Sequence, residues 1–275
     1  MNGSVIADKA QEKSQRSREG TLAFDVSSAP TRTVLVTGGA RRIGRAICER
    51  LAADGWRVMV HSRRQDDQDA IALAARIGGV AIAADLSGPL AAARLFQSAC
   101  DIAPGLCAIV NNAAMFSPEA ELPPATAEAL RRVNVEVPEK LTTLLGLRLM
   151  EHPPFRGAVV DLLDCHILVP PVSGEKETPY LESKRALLAS MEKSAGLFAS
   201  CLRVNAVAPG PVLVPSNPSH RVPGGEVLLP VRPTVDDVAS AVSYLLGAQA
   251  VTGQVLAVDS GQSLLMDCRA VPFLD

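Results

Sequence analysis

Short apolar runs rich in β-branched residues alternate along the chain with stretches whose apolar positions recur at helical spacing. Val34-Leu35-Val36 opens the series, and Trp56–Val60, Val80–Ala84, Ala108–Val110, Ala158–Leu163, Leu202–Ala208 and Gln254–Val258 continue it. Between these runs the spacing predicts helices over Ile43–Ala53, Asp66–Ala75, Leu90–Cys100, Ala127–Met150, Thr178–Ser200 and Val235–Leu246. Strands that are apolar on both faces belong to a parallel sheet covered by helices on both sides. The alternation therefore predicts an α/β fold, a doubly wound parallel sheet of about seven strands in a single domain. Pro153-Pro154 ends the first long helix, and the proline, glycine and serine of the 211–233 stretch predict one long loop.

In such a sheet, ligands bind beyond the carboxyl ends of the strands. Polar clusters fall there one after another: Thr37-Gly38-Gly39-Ala40-Arg41-Arg42-Ile43-Gly44 after the first run, His61-Ser62-Arg63-Arg64 after the second, and Asp85-Leu86 after the third. Asn112-Ala113-Ala114, Asp164 and Pro209-Gly210 follow the next three. The glycine-rich turn feeds a helix N-terminus, where free N–H groups and the helix dipole favour a phosphate, and Gly38 and Gly44 are expected to let backbone approach it. Glycine turns also occur for packing alone, so the neighbouring clusters decide. Arg63 and Arg64 stand where an acid would meet the adenosine ribose, and with Arg41 and Arg42 they predict NADP(H) over NAD, Arg64 being the first candidate for the 2′-phosphate. Tyr180 and Lys184 lie one turn apart on one helix face. The ammonium is expected to lower the phenol's pKa and make it a usable proton donor.

Composition narrows the picture. The chain has 275 residues, 48% of them hydrophobic, and a formal net charge of −2, which argues against bulk affinity for nucleic acid or an anionic membrane. No apolar run approaches the ~20 residues needed to cross a bilayer. The six cysteines lack metal-ligand spacing and read as reduced thiols of a cytoplasmic protein, with no metal site. Residues 1–30 are polar and mixed in charge, and read as a disordered extension ahead of a reductase domain at 31–275.

The glycine-rich turn, Asn112-Ala113-Ala114, Tyr180…Lys184 and Asn205…Pro209-Gly210 together resemble the short-chain dehydrogenase/reductase family over about Thr33–Leu264, which implies a Rossmann-type fold. Asp164 at the usual serine position, Arg42 at the central glycine of the turn, His61…Arg64, Asp85-Leu86-Ser87 and Phe116 resemble its pteridine reductase branch, which includes the dihydromonapterin reductases, also called alternative dihydrofolate reductases. The resemblance implies that the clusters above, with Tyr180, Lys184 and Val212, hold NADPH, and that a dihydropterin or dihydrofolate is the substrate. It implies that Phe116 stacks on the pterin, that Arg42 reaches both the phosphates and the pterin edge, and that Asn134 positions Lys184 through water. Asp164 and Tyr180 would meet the substrate and supply its proton. A carboxyl beside apolar walls should have a raised pKa, so Asp164 is expected to be protonated in part. The resemblance also implies a homotetramer built on the two long helices. The loop between Asp164 and Tyr180 is longer than the family's usual spacing. A general carbonyl reductase acting on a ketone, sugar or acyl thioester would share every cofactor residue, whereas a non-catalytic NADPH-binding regulator would have no need of the Tyr180–Lys184 pair.

Overall fold

A computed structural model of the chain describes residues 32–151, 156–170, 177–212 and 227–268. The expected extension at 1–30 lies outside these residues, as does most of the 211–233 loop. Strands β1 (Thr33–Val36), β2 (Arg57–Ser62), β3 (Val80–Ala83), β4 (Leu106–Asn111), β5 (Gly157–Leu162), β6 (Leu202–Pro209) and β7 (Val255–Val258) form one sheet in the order β3-β2-β1-β4-β5-β6-β7. Every pairing is parallel. The sheet grows outward in both directions from β1 and β4, so the loops after those strands diverge and leave a crevice between them. The doubly wound sheet expected from the alternation is the one found.

Side chains of successive strand residues point to opposite faces, which splits the core in two. Val34, Val36, Val58, Val60, Val110 and Val160 pack with helices α1 (Arg42–Ala53), α2 (Gln68–Arg76) and α7 (Val235–Gly247). Leu35, Met59, Ile109 and Val159 pack on the other face with α3 (Ala91–Ile102), α5 (Val137–Met150) and α6 (Pro179–Leu197). Each fully buried Leu, Ile or Val contributes roughly 1.5–3 kcal/mol, enough in sum to hold the strand ends that carry the site. Asp67 caps α2 by accepting the N–H groups of Asp69 and Ala70. A reciprocal Thr234–Asp237 capping box starts α7.

Two elements differ from the sequence expectation. The first long helix starts at Pro124, as α4 (Pro124–Arg131), and widens into a π turn at Arg132–Glu136 before α5. Pro138 has no N–H to give the carbonyl four residues back, that of Asn134, and the helix relaxes there. A further short helix, α8 (Gln262–Cys268), follows β7, where the few apolar positions gave too little periodicity to announce it.

Candidate active site

The glycine-rich turn is fastened from three sides. Asn112 donates its backbone N–H to Thr37 Oγ1 (3.0 Å) and its Nδ2 to the carbonyls of Thr37 (2.9 Å) and Gly38 (3.0 Å), while Ala113 N–H also reaches Thr37 Oγ1 (3.1 Å). His61, read from the sequence as a cofactor contact, has both ring nitrogens engaged: Nδ1 accepts Gly38 N–H (3.1 Å) and Nε2 faces Ala84 O (3.0 Å). Burial lowers its pKa to about 4, so the neutral ring bolts the turn to β2 and to the residue after β3. The glycines need refining too. Gly38 has φ +62°, but a Cβ on Gly44 would lie 2.2 Å from Gly38 O and 2.6 Å from Asn112 Nδ2, so the space Gly44 clears is filled by the turn itself. Arg42 is exposed and has φ +53°, a conformation that suits glycine and strains a side chain.

The predicted cations all sit at the protein surface. Arg41 pairs with Asp67 (3.1 Å) and Asp69 (2.5 Å), Arg63 with Asp85 (2.9 Å), and Arg64 with both oxygens of Asp66 (2.9 and 2.7 Å). Side-chain exposures of 76% for Arg63 and 74% for Arg64 leave these pairs screened by solvent and weak, so a phosphate can replace the carboxylate. Asp85 is held below the ordinary carboxylate range by Ser87, whose Oγ (2.6 Å) and N–H (3.0 Å) it accepts, and by Arg63. Ser62 Oγ donates to Arg64 O (3.0 Å), shaping the end of β2, and Leu86 is buried beneath. At the far side, Gly210 N–H bonds Val258 O (2.9 Å) with Asp259 too close for any Cβ, and Val212 N–H turns back onto Gly210 O (2.8 Å).

The reactive groups converge where β5 ends and α6 begins. Thr178 Oγ1 accepts Leu181 N–H (3.3 Å) and Pro179 opens the helix, which places Tyr180 and Lys184 in its first turns. Tyr180 Oη donates to Asp164 Oδ2 (3.1 Å), and Phe116 meets the Tyr180 ring edge-on with centroids 4.9 Å apart. Asn134, expected to act on Lys184 through water, bonds its neighbours directly. It accepts Met115 N–H (2.8 Å) and donates to Met115 O (2.9 Å) and Ser183 Oγ (3.0 Å), tying the segment that carries Phe116 to α6. Lys184 Nζ donates instead to Leu162 O (2.7 Å), 5.7 Å from the Tyr180 ring centroid.

Two electrostatic expectations are overturned. The Tyr180 phenol is pushed above its ordinary pKa, by burial first and then by the Asp164 carboxylate, while the ammonium that was to lower it donates to Leu162 O. Asp164 lies below its ordinary value: burial acts to raise it, but the His166 hydrogen bonds and the charges of His166 and Lys184 outweigh burial. His166 is the residue that sequence reasoning missed. Its Nδ1 lies 2.7 Å from Asp164 Oδ1 and its backbone N–H donates to the same oxygen (3.0 Å), an Asp-x-His spacing at a strand end that was visible as a signal. Asp164, Cys165 and His166 bring ligand atoms within 4.8 Å of one another. The Cys165 thiol donates to Gln262 Oε1 (3.3 Å), and burial raises its pKa. Behind Lys184, Asp161 accepts Asn111 Nδ2 (2.7 Å). Burial pushes Asp161 up to about 7 and Lys184 down to about 8.

A family model described as enoyl-(acyl carrier protein) reductase matches residues 38–263. A putative ketoacyl reductase 2 of the granaticin polyketide synthase from Streptomyces violaceoruber is 34% identical over 89% of this chain and 100% of its own. A dihydromonapterin reductase from Enterobacter sp. (strain 638) is 28% identical over 87% of this chain and all of its own. Among solved structures, FolM alternative dihydrofolate reductase 1 from Brucella canis, complexed with NADP, superposes with a TM-score of 0.73 at 34% identity, covering 84% of this chain and 94% of that one. Family model, parallel sheet and Tyr180–Lys184 pair agree: the chain belongs to the short-chain dehydrogenase/reductase family, and its likeness to the dihydromonapterin reductases and FolM matches the pteridine reductase branch.

Proposed function

We propose that this chain is an NADPH-dependent reductase that converts a dihydropterin or dihydrofolate to its tetrahydro form. The observation that carries the reading is the Tyr180–Asp164 hydrogen bond with Phe116 at the ring's edge, a carboxylate and an aromatic face where a ketone reductase has a serine. The residues present fit the cofactor: a braced glycine turn opens a helix N-terminus, and exposed guanidiniums flank it in weak pairs. NADP(H) in the Brucella relative's structure supports the same choice.

When bound, NADPH supplies the hydride. The backbone N–H groups of the turn and Arg42 would hold its diphosphate, and Arg63 and Arg64 would take the 2′-phosphate. Phe116 offers a face to a flat heteroaromatic ring. Tyr180 holds a proton at Oη, Asp164 accepts its hydrogen bond and orients the hydroxyl, and Lys184 keeps a positive charge beneath both. Asp164 therefore acts mainly as an ionised acceptor, and the proton it passes on comes from a neighbour.

The test is turnover of dihydromonapterin, dihydrobiopterin and dihydrofolate against simple ketones, with NADPH and NADH, followed by cofactor absorbance. Dihydropterin reduction is expected, with NADPH favoured about 10–100-fold, the worth of a charge-assisted contact of about 1.5–3 kcal/mol. Turnover of ketones alone would favour the second reading, a carbonyl reductase, which the 34% identity to a ketoacyl reductase supports. The enzyme would work in the cytoplasm, where thiols such as the buried Cys48 and Cys201 stay reduced. Leu147 and Met150 of α5 and Leu197 of α6 are at least half exposed, which supports a homotetramer on these helices. Light scattering on the purified protein should return four times the chain mass, and a monomer would refute it.

A further inference from the structure

We propose that His166 is the proton entry of this site, passing a proton from solvent through Asp164 toward Tyr180 and the substrate. The geometry is a chain of three side chains. His166 Nδ1 lies 2.7 Å from Asp164 Oδ1, and Asp164 Oδ2 accepts from Tyr180 Oη at 3.1 Å, so the carboxylate has one oxygen on each partner. The side chain of His166 is 35% exposed and that of Asp164 22%, which makes the imidazole the solvent-facing end. The backbone N–H of His166 also donates to Oδ1 (3.0 Å), fixing the carboxylate within the 3₁₀ turn Cys165–Leu168. Arg185 of α6 locks that turn by donating to Ile167 O and Val169 O, both at 2.7 Å, and pairs with Glu177 (2.8 Å).

The inference rests on the reductase reading above and supplies what that reading lacks. An ionised Asp164 has no proton of its own, and a half-buried Tyr180 that gave one up beside it would leave two adjacent anions. In one turnover, the N–H bond at His166 Nδ1 breaks as an O–H bond forms at Asp164. The Tyr180 O–H bond breaks as the new bond to hydrogen forms on the substrate after hydride arrives, and the Asp164 O–H bond breaks to restore the Tyr180 O–H. The neutral imidazole left behind regains its proton from solvent, and NADPH is the hydride donor that balances the electrons. The charged and titratable groups around this turn, among the described residues, are Asp164 and Cys165 on it, Tyr180, Lys184 and Arg185 from α6, and Asp259 ahead of α8, whose charge reaches Cys165. The Asp164 hydrogen bond raises the imidazole's pKa above its ordinary value against the opposing effect of burial. The imidazolium is therefore present below the raised pKa and lost as pH rises through it, and the rate should fall in that direction. Any stability the pair confers follows the same sign: it is complete below the unfolded histidine's pKa and disappears through the folded one.

Two measurements test the relay. The first, NMR titration of the His166 ring, needs no turnover: its pKa should exceed the ordinary ~6.5 in the wild type and fall toward it in Asp164→Asn. The second is kcat against pH on whichever substrate the wild type reduces, dihydropterin or ketone. His166→Asn keeps an amide N–H for Asp164 but carries no exchangeable charge. It should lose about tenfold or more in kcat with KM unchanged, and lose the limb in which rate falls with pH. Added imidazole should restore part of the rate in His166→Ala. An unchanged kcat and pH profile in His166→Asn, or a His166 titration indifferent to Asp164→Asn, would overturn the proposal. Activity on ketones alone would refute the pterin reading while leaving the relay to be judged on that substrate.

Discussion

Tyr180→Phe is expected to lower kcat by about 10²–10⁴-fold, the usual worth of a positioned proton donor, with little change in KM for NADPH. The substitution removes one hydroxyl and leaves the ring that Phe116 meets edge-on. Asp164 keeps its contacts with the side chain and backbone of His166, so the carboxylate is not orphaned by the change. The loss of one hydrogen bond to stability is about 1 kcal/mol, too little to unfold the chain. Kinetics and stability therefore separate cleanly. Asp164→Asn should fall in the same range, because an amide cannot accept a proton from His166, and its pH profile should lose the limb assigned to that residue. Steady-state kinetics across pH with the productive substrate is the measurement. A Tyr180→Phe enzyme that keeps a tenth or more of wild-type kcat would remove Tyr180 from the proton path.

The layout of the sheet was legible because periodicity is a property of the sequence itself: Val34-Leu35-Val36 and its six counterparts are the strands of one sheet, buried at its centre and partly exposed at its edges, and the polar clusters after them share one edge. What the sequence could not convey was where the side chains turn. Lys184 and Tyr180 are four residues apart on one helix, a spacing that predicts an ammonium under a phenol, but Leu162 O lies nearer and takes the ammonium. Asp164 was correctly placed at the end of β5, and its ionisation was misjudged because the partner that sets it, His166, sits in a 3₁₀ turn that has no periodic signature. His61 drew attention as a polar residue at a strand end. Its burial, which depends on β1, β2 and β3 lying side by side, makes it a brace. The π turn at Arg132–Glu136 is legible in retrospect from Pro138, and it falls on Asn134, the residue that ties the Phe116 segment to α6.

Gly44→Ala should damage the protein more than any other single methyl added to the turn. A Cβ there would sit 2.2 Å from the Gly38 carbonyl oxygen and 2.6 Å from Asn112 Nδ2, and neither is the free end of a flexible side chain. The carbonyl is backbone, and the amide is pinned by its own bonds to Thr37 O and Gly38 O. Relief requires the turn to lift from β4, at a cost of about 3 kcal/mol, the upper end for overpacking. A drop in Tm of roughly 6–12 °C follows for a domain of this size. Because the N–H groups that meet the diphosphate move with the turn, NADPH affinity should fall by more than tenfold, read by calorimetry. Arg42→Gly is the informative contrast. Arg42 holds φ +53°, which disfavours a side chain by about 1–2 kcal/mol, so glycine there should leave Tm unchanged or slightly higher. The guanidinium would be gone, and affinity for NADPH and for the substrate should weaken about tenfold, the size of one charge-assisted contact. A stable, weakly binding Arg42→Gly beside an unstable Gly44→Ala would mean that the turn keeps a strained arginine for its charge. Equal affinity in Arg42→Gly and wild type would mean that the strain serves no ligand.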